Sequence, residues 1–199
     1  MKIIGGQFKG RNIYMPLGVR STQDLVRKAF FDIIGQDLEG LTFLDLFAGS
    51  GAIGLEAISR NAKRVFFVEG DARCAAVIQE NLSTIGIASR DNFGLSHFVM
   101  NKDAFVAIKD LSRRAEKFDI IFADPPFGVD LAKKTLKTLE GYDIVHPTSL
   151  VIIQHDKKES LPDMPGRFLR VKEKKYGKSI LTLFKIHSNG TSSNISGQF

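Results

Sequence analysis

Length, composition and charge define an ordinary globular chain and exclude several classes of protein. The chain has 199 residues, of which 43% are hydrophobic, and this is enough for one α/β domain with a complete core. The start MKIIGGQFKGR lacks the apolar region of a signal peptide, and no long apolar run occurs, so we expect a cytoplasmic protein without a membrane span. The single cysteine, Cys74, and four scattered histidines predict neither a disulfide nor a metal site.

The net charge of +6 is unevenly distributed. Residues 1–28 carry six basic residues against one acidic residue, and residues 157–185 carry nine against three. The stretch between them, residues 29–156, holds thirteen basic and eighteen acidic residues. Basic flanks around an acidic centre favour a protein whose ends contact a polyanion. The alternative is that lysine-rich strands only protect the edges of a sheet and keep the protein in solution.

The first predicted elements are a small β-hairpin over residues 1–20 and a helix after it. IIGGQFKGRNIYMP contains two short β-rich runs around a turn with glycine and lysine. Thr22 is the expected N-cap of the helix QDLVRKAFFDII, whose apolar residues recur at helical spacing as far as Gly35.

Strands and helices alternate after this first helix. Four short apolar runs are typical of buried strands: LTFLDLF, RVFFVE, LSHFVM and FDIIFA. Helical stretches separate or follow them near residues 52–60, 71–85, 102–112 and 129–140. After Pro147, SLVIIQH predicts a fifth strand, and RFLRVKEKKYG with SILTLFKI predicts a hairpin that turns near Gly177.

This order predicts an α/β fold. We expect a Rossmann-like, mostly parallel, doubly wound sheet with an antiparallel C-terminal strand, because each right-handed crossover lays its helix on one face of the sheet. One domain would cover residues 21–186, preceded by the hairpin extension at 1–20. Residues 187–199 are polar and low in complexity, so they predict a disordered tail.

The first strand runs into a glycine-rich turn. Residues 44–54 read LDLFAGSGAIG, and the glycines of this G-x-G-x-x-G pattern let the backbone turn tightly beside an adenine-containing cofactor. Glu69 ends the second strand, where its carboxylate can accept hydrogen bonds from both hydroxyls of a ribose. NAD and S-adenosylmethionine both contain such a ribose, so this pattern leaves the two cofactors open.

Asp45 favours S-adenosylmethionine over NAD. It ends the first strand just before the glycines, where a carboxylate would repel a pyrophosphate but could hold the amino group of a methionine moiety. Asp103 follows the third strand and could accept a hydrogen bond from the adenine amine, or could cap the helix AFVAIKDL. The predicted cofactor-binding residues are Asp45, Phe47, Gly49, Ser50, Gly51, Glu69, Asp103 and Asp124.

The most specific stretch is FDIIFADPPF, residues 118–127, a buried strand that ends in an acid, two prolines and an aromatic. The prolines fix φ and remove two backbone donors, so the turn presents stiff carbonyl oxygens at the ligand-binding edge of the sheet. Asp124 and the Pro125 carbonyl could accept hydrogen bonds from the exocyclic amine of a base, and Phe127 could stack on that base. We therefore predict Asp124, Pro125 and Phe127 as catalytic residues of a methyl transfer. The alternative is a strand that simply ends in a turn.

At these motifs the chain resembles the small-subunit ribosomal RNA guanine-N2 methyltransferases of the RsmD type. The resemblance covers about residues 1–186 and is carried by IIGGQFKGR, RSTQDLVRKAFFDII, LDLFAGSGAIGLEAISR, FVEGD, NKDAF and DPPF. It implies an enzyme that methylates a guanine of small-subunit (16S) ribosomal RNA, free or in a 30S assembly particle, with S-adenosylmethionine as cofactor. We expect a monomer. The resemblance also implies an RNA-facing set formed by Lys9, Arg11, Arg20 and Arg27.

Three alternatives differ in substrate or class. An adenine-N6 DNA methyltransferase would use the same Asp-Pro-Pro-aromatic turn, but reading a DNA sequence normally needs a recognition domain, for which 199 residues leave no room. An NAD-dependent oxidoreductase would use the glycine loop, and a non-catalytic RNA-binding module would use the basic flanks. Neither of these last two accounts for DPPF.

Overall fold

A seven-stranded sheet forms the centre of the molecule. The computed structural model describes residues 1–16, 24–87, 97–128 and 130–187. In chain order the helices and strands are α1 (Asp24–Ile34), β1 (Thr42–Leu46), α2 (Ala52–Ser59), β2 (Arg64–Glu69), α3 (Ala72–Thr84), β3 (His97–Asn101), α4 (Ala104–Arg113), β4 (Phe118–Ala123), α5 (Leu131–Gly141), β5 (Val145–Asp156), β6 (Phe168–Tyr176) and β7 (Ser179–Ile186). None of these helices is long and apolar enough to cross a membrane.

The strand order is β3-β2-β1-β4-β5-β7-β6. The first five strands in this order are parallel to one another, whereas β7 is antiparallel to both β5 and β6. The predicted Rossmann-like fold, with a mostly parallel sheet and an antiparallel C-terminal strand, is therefore confirmed. Because β1 lies between β2 and β4, the carboxyl ends of these three strands are neighbours.

Alternate side chains of each central strand enter different cores. Phe43 of β1 and Phe122 of β4 lie in the same cluster as Phe30 of α1. The centroid of the Phe30 ring is 6.1 Å from that of Phe43 and 4.8 Å from that of Phe122. Leu44 points to the other face, where it packs in the cluster that includes residues of α4 and α5. This period of two, with both faces buried, is what the continuous apolar runs predicted.

The fifth strand is longer than predicted and begins before Pro147. A register shift interrupts its pairing with β4, since Phe118 pairs with Val145 but Ile120 pairs with Leu150. The Ser149 hydroxyl spans the irregular stretch: it accepts a hydrogen bond from His146 N at 2.7 Å and donates one to Phe118 O at 2.6 Å. A bulge of this kind is how a strand tolerates a proline, which cannot donate to the ladder.

The N-terminal segment, residues 1–16, was predicted as part of a hairpin and pairs at a single bridge between Lys2 and Asn12. Further hydrogen bonds join its two arms, since Ile3 N donates to Arg11 O at 2.9 Å and Ile13 N donates to Met1 O at 2.7 Å. The segment is also bound to α2, because Gln7 N and Phe8 N donate to the carbonyl and hydroxyl oxygens of Ser59 at 2.7 and 2.9 Å. Arg20, the predicted cap Thr22 and the tail beyond residue 187 lie outside the described residues.

Gly54 of α2 lies directly against β2, and an added Cβ there would be 2.2 Å from the ring of the buried Phe67. We expect Gly54→Ala to lower the free energy of unfolding by about 1–3 kcal/mol, the usual cost of overpacking a core. Gly141→Ala is the control, since nothing lies within 4 Å of its Cβ position. Urea unfolding measures both, and equal midpoints for the two variants would contradict this packing.

Candidate active site

A pocket of about 430 Å³ opens at the carboxyl ends of β1, β2 and β4. Its walls come from the glycine loop after β1, from the end of β2 and the residues after it, and from the turn after β4. The predicted site residues that line it are Asp45, Phe47, Gly49, Ser50, Glu69, Asp124, Pro125 and Phe127. The two most specific motifs of the sequence therefore meet in one pocket.

The glycine loop is held in an uncommon backbone conformation. Phe47 has φ of 61° and Gly49 has φ of 57°, a region that a non-glycine residue such as Phe47 occupies only at a cost. Glu69 fixes the loop, because its Oε2 accepts a hydrogen bond from Gly49 N at 2.7 Å. Its Oε1 accepts another from Asp71 N at 2.8 Å. A carboxylate has lone pairs beyond these two, so Glu69 can still accept from a ligand hydroxyl.

Asp45 is buried at the base of the pocket, with only 2% of its surface exposed. Its Oδ2 accepts a hydrogen bond from Gly54 N at 2.9 Å. Burial is the main reason that the pKa of Asp45 is raised to about 8; the hydrogen bond from Gly54 N opposes this rise, and the negative charges of Asp124 and Glu69 add to it. A pocket in which a carboxyl group resists ionisation favours a positively charged ligand and disfavours an anion.

The turn after β4 is joined to the centre of the sheet. Asp124 N donates a hydrogen bond to Leu46 O, the last residue of β1, at 3.3 Å. Pro125 is buried, while Asp124 and Phe127 are partly exposed to the pocket. The acid and the aromatic ring are thus carried by a stiff segment beside the glycine loop.

Two predicted cofactor residues do not line the pocket. Asp103 caps α4, where its Oδ1 accepts hydrogen bonds from Phe105 N at 2.9 Å and Val106 N at 3.1 Å. The structure therefore shows the N-cap, through Oδ1, and binding of the adenine amine by Asp103 stays a prediction. Gly51 immediately precedes α2 and packs against Ile78 and Phe67 instead of facing the cavity.

Asn81 of α3 is a site residue that the sequence did not reveal. It is buried, and its Nδ2 donates to Ser50 O and to Tyr14 O, both at 3.1 Å. Its Oδ1 accepts from Tyr14 N at 2.7 Å. Asn81 therefore joins the N-terminal segment to the glycine loop. The available signal was a polar residue on the apolar face of a helix, beside Ile78 and Leu82.

The prediction that Arg27 faces RNA is wrong, because its side chain is fully buried. Arg27 Nε lies 3.5 Å from Glu56 Oε1, and its Nη2 donates to Lys2 O at 2.6 Å. Arg60 Nη2 lies 3.4 Å from Glu56 Oε2, and Ile4 N also donates to Glu56. The cause is helical position, since Arg27 shares the buried face of α1. Lys9 and Arg11 are exposed, as an RNA contact requires.

Comparison with known proteins assigns the family. The model of the family described as "Conserved hypothetical protein 95" matches residues 1–185. Ribosomal RNA small subunit methyltransferase D of Escherichia coli K12 is 30% identical over 194 residues, which cover 96% of this chain and 93% of that protein. The Haemophilus influenzae protein of the same name is 30% identical over 191 residues, covering 95% and 94%. The solved structure of yhhF from Escherichia coli superposes with a TM-score of 0.79 at 28% identity, covering 95% of this chain and 99% of that one.

The fold and the matched structure define a Rossmann-like protein of the methyltransferase class. Within that class, the chain belongs to the family described as "Conserved hypothetical protein 95", which is the RsmD family. The resemblance seen in the sequence motifs is therefore confirmed.

The buried ion cluster of Arg27, Glu56 and Arg60 makes a direct prediction about stability. Arg27→Met should lower the free energy of unfolding by about 3 kcal/mol, because it leaves Glu56 buried with one cation fewer. Lys28→Met, at the exposed neighbouring position, should change it by less than about 0.5 kcal/mol. Urea unfolding compares the two variants. An Arg27→Met protein of unaltered stability that binds RNA more weakly would restore Arg27 as a surface contact.

Proposed function

We propose that this chain transfers a methyl group from S-adenosylmethionine to the N2 amine of a guanine in small-subunit ribosomal RNA. The class of reaction follows from the family: the chain is an S-adenosylmethionine-dependent ribosomal RNA methyltransferase. The observation that carries the finer proposal is that Asp45, Glu69 and Asp124 line one pocket with the Asp-Pro-Pro-Phe turn. The target amine, which receives the methyl group, and the cofactor could therefore meet there.

The charge of the pocket fits this cofactor. S-adenosylmethionine carries a sulfonium and an ammonium group, which would be attracted by Glu69 and Asp124 and by Asp45 once it has released its proton. The pyrophosphate of NAD would be repelled by the same groups. Asp45 would hold the ammonium group, Glu69 would accept from the ribose hydroxyls, and the loop at Gly49 and Ser50 would allow close approach. When bound, the cofactor supplies an electrophilic methyl group on a charged sulfonium.

The turn after β4 would position the target amine. The N2 amine of guanine donates its lone pair to the ring and is a weak nucleophile. Hydrogen bonds from its protons to the Asp124 carboxylate and the Pro125 carbonyl would favour a more pyramidal nitrogen. Phe127 would stack on the base, an interaction worth about 1–3 kcal/mol in proteins that bind single strands. Holding nitrogen and methyl in line then supplies most of the rate enhancement.

The RNA would approach over the N-terminal segment. Lys9 and Arg11 are exposed there, and Asn81 joins this segment to the glycine loop. We propose that Lys9 and Arg11 contact RNA phosphates, together with Arg20. The expected substrate is small-subunit RNA, free or in a 30S assembly particle, and the enzyme would act as a monomer in the cytoplasm.

One assay tests the proposal as a whole. The protein is offered labelled S-adenosylmethionine with unmodified small subunits, with the free RNA of those subunits, and with DNA, and the labelled nucleoside is identified after digestion. We expect label in N2-methylguanosine from the small subunits or their RNA. Label in N6-methyladenine of DNA would assign the alternative substrate instead.

Asp124→Asn tests the proposed role of the turn. The variant should bind S-adenosylmethionine within about threefold of the unaltered protein but transfer methyl groups about 100-fold more slowly, since a neutral amide oxygen is a weaker acceptor for the amine protons than a carboxylate. Asp130→Asn is the control, because this exposed carboxylate lies a few residues further along and its only ion pair in the described part of the chain is with Lys133. Calorimetry and initial rates measure the two effects. Normal turnover by Asp124→Asn would remove Asp124 from the mechanism.

The raised pKa of Asp45 predicts a pH dependence of cofactor binding. Asp45 is largely protonated below its pKa of about 8, and a cation beside it favours the carboxylate, so binding should release a proton below pH 8. Affinity should therefore rise with pH up to about 8, by at most about tenfold per pH unit. Titrations in two buffers with different ionisation enthalpies measure the proton released.

The control for this titration is Asp45→Asn. This variant should bind the cofactor more weakly and release fewer protons, while any ionisation of the ligand itself remains the same. Equal proton release by the two proteins would contradict the assignment of the titrating group to Asp45.

A further inference from the structure

Five exposed lysines lie in the segment that follows β5, at the end of β6 and in the turn from β6 to β7, and we call this surface the basic rim: Lys157, Lys158, Lys174, Lys175 and Lys178. The two segments touch, because Lys157 N donates a hydrogen bond to Lys178 O at 3.0 Å. None of the five ammonium groups forms an ion pair with any residue that the structure describes. The two segments are therefore adjacent, and the charge of the five lysines is available to a ligand.

The register of the sheet places the basic rim at the same edge as the pocket. Asp124 follows Ala123, which pairs with Ile153, so the next residue, Gln154, stands level with Asp124. Gln154 pairs with Leu181, and Leu181 pairs with Lys174. Asp124 and Lys174 are thus three strands apart in one row, or about 14 Å at the usual strand spacing.

A second contact brings the basic rim to the turn that holds Asp124. Glu159, next to Lys158, accepts a hydrogen bond through Oε1 from Lys133 N at 3.1 Å. Lys133 lies in the first turn of α5, the helix that follows the Asp-Pro-Pro-Phe turn. The segment after β5 therefore packs beside the proposed target-base site.

Protection of an edge strand does not account for this distribution. β6 is the edge of the sheet, but Lys157, Lys158 and Lys178 lie outside it. At the other end of β6 the basic charge is neutralised, since Arg170 pairs with both Asp163 and Glu173. The unpaired charge of this region lies mainly where the sheet faces the pocket.

We propose that the basic rim binds the phosphates of RNA nucleotides next to the target base. This inference rests on the proposed function and adds a second RNA contact to that of Lys9 and Arg11. The N-terminal segment packs on α2 and α3, on the side of β2 and β3, whereas the basic rim lies on the side of β5 and β7. An RNA strand would cross the pocket between two basic surfaces, with its backbone held on both sides of the extruded base.

The test compares two triple variants that lose the same charge. The first removes three lysines of the basic rim: Lys174→Ala, Lys175→Ala and Lys178→Ala. The matched control removes three exposed lysines that lie away from the pocket edge and have no ion pair among the described residues: Lys63→Ala, Lys109→Ala and Lys185→Ala. Binding to small-subunit RNA is measured at several salt concentrations, and methyl transfer, cofactor affinity and size-exclusion volume are measured in parallel.

The rim variant should bind RNA at least about tenfold more weakly than the control variant near physiological salt. Its slope of log affinity against log salt should be smaller by about 2, because each contact to a single-strand phosphate contributes about 0.7. Its cofactor affinity should be unchanged.

Equal RNA affinity and equal salt slope for the two triple variants would overturn the inference and leave the proposed function standing. A rim variant that self-associates but binds RNA normally would also overturn the inference. It would show that these lysines protect the edge of the sheet. If the unaltered protein methylates no small-subunit RNA, the proposed function fails, and this inference fails with it.

Discussion

Burial of the Asp45 carboxyl group beside two further carboxylates, Glu69 and Asp124, is the constraint on which the site depends. The fold imposes it, because β1 lies between β2 and β4 and the three acids stand at or just after the ends of these strands. The pKa of Asp45 is raised to about 8, mainly by burial and in smaller part by the charges of its two neighbours. The ionised form of such a group is disfavoured unless a cation lies beside it. The pocket is therefore suited to a ligand with positive charge. Its acidic residues favour S-adenosylmethionine over NAD, a choice that the glycine pattern alone leaves open.

The glycine loop and the N-terminal segment are held together by buried hydrogen bonds. Glu69 fixes Gly49, and Asn81 connects the carbonyl of Ser50 to the backbone of Tyr14. On the other side of the segment, Glu56 accepts from the backbone of the chain start and is held between two buried arginines. Buried polar groups of this kind tolerate little displacement. An RNA contact that moved the N-terminal segment would therefore also move the backbone of the glycine loop. The proposed RNA surface is thus connected to the cofactor loop through the hydrogen bonds of Asn81.

Much of the fold and of the pocket could be predicted from the sequence, because local pattern determines them. Uninterrupted apolar runs gave β1, β2 and β4 nearly to the residue, and the acids and glycines that follow them identified the pocket walls. Long-range partners could not be predicted. Asn81 matters through Tyr14, 67 residues away, and the buried partner of Arg27 is Glu56 in α2, which a charge pattern along the chain does not identify. Asp103 remained ambiguous for a related reason, since capping a helix and binding a ligand require the same residue at the same place.

The most direct test of the central claim is a crystal structure of the protein with S-adenosylhomocysteine, the product that retains the amino group, ribose and sulfur of the cofactor. The account predicts the amino group at Asp45, the ribose hydroxyls at Glu69, and the sulfur facing the turn that carries Asp124 and Pro125. A ligand bound outside this pocket, or bound within it with its sulfur directed away from Asp124, would contradict the account.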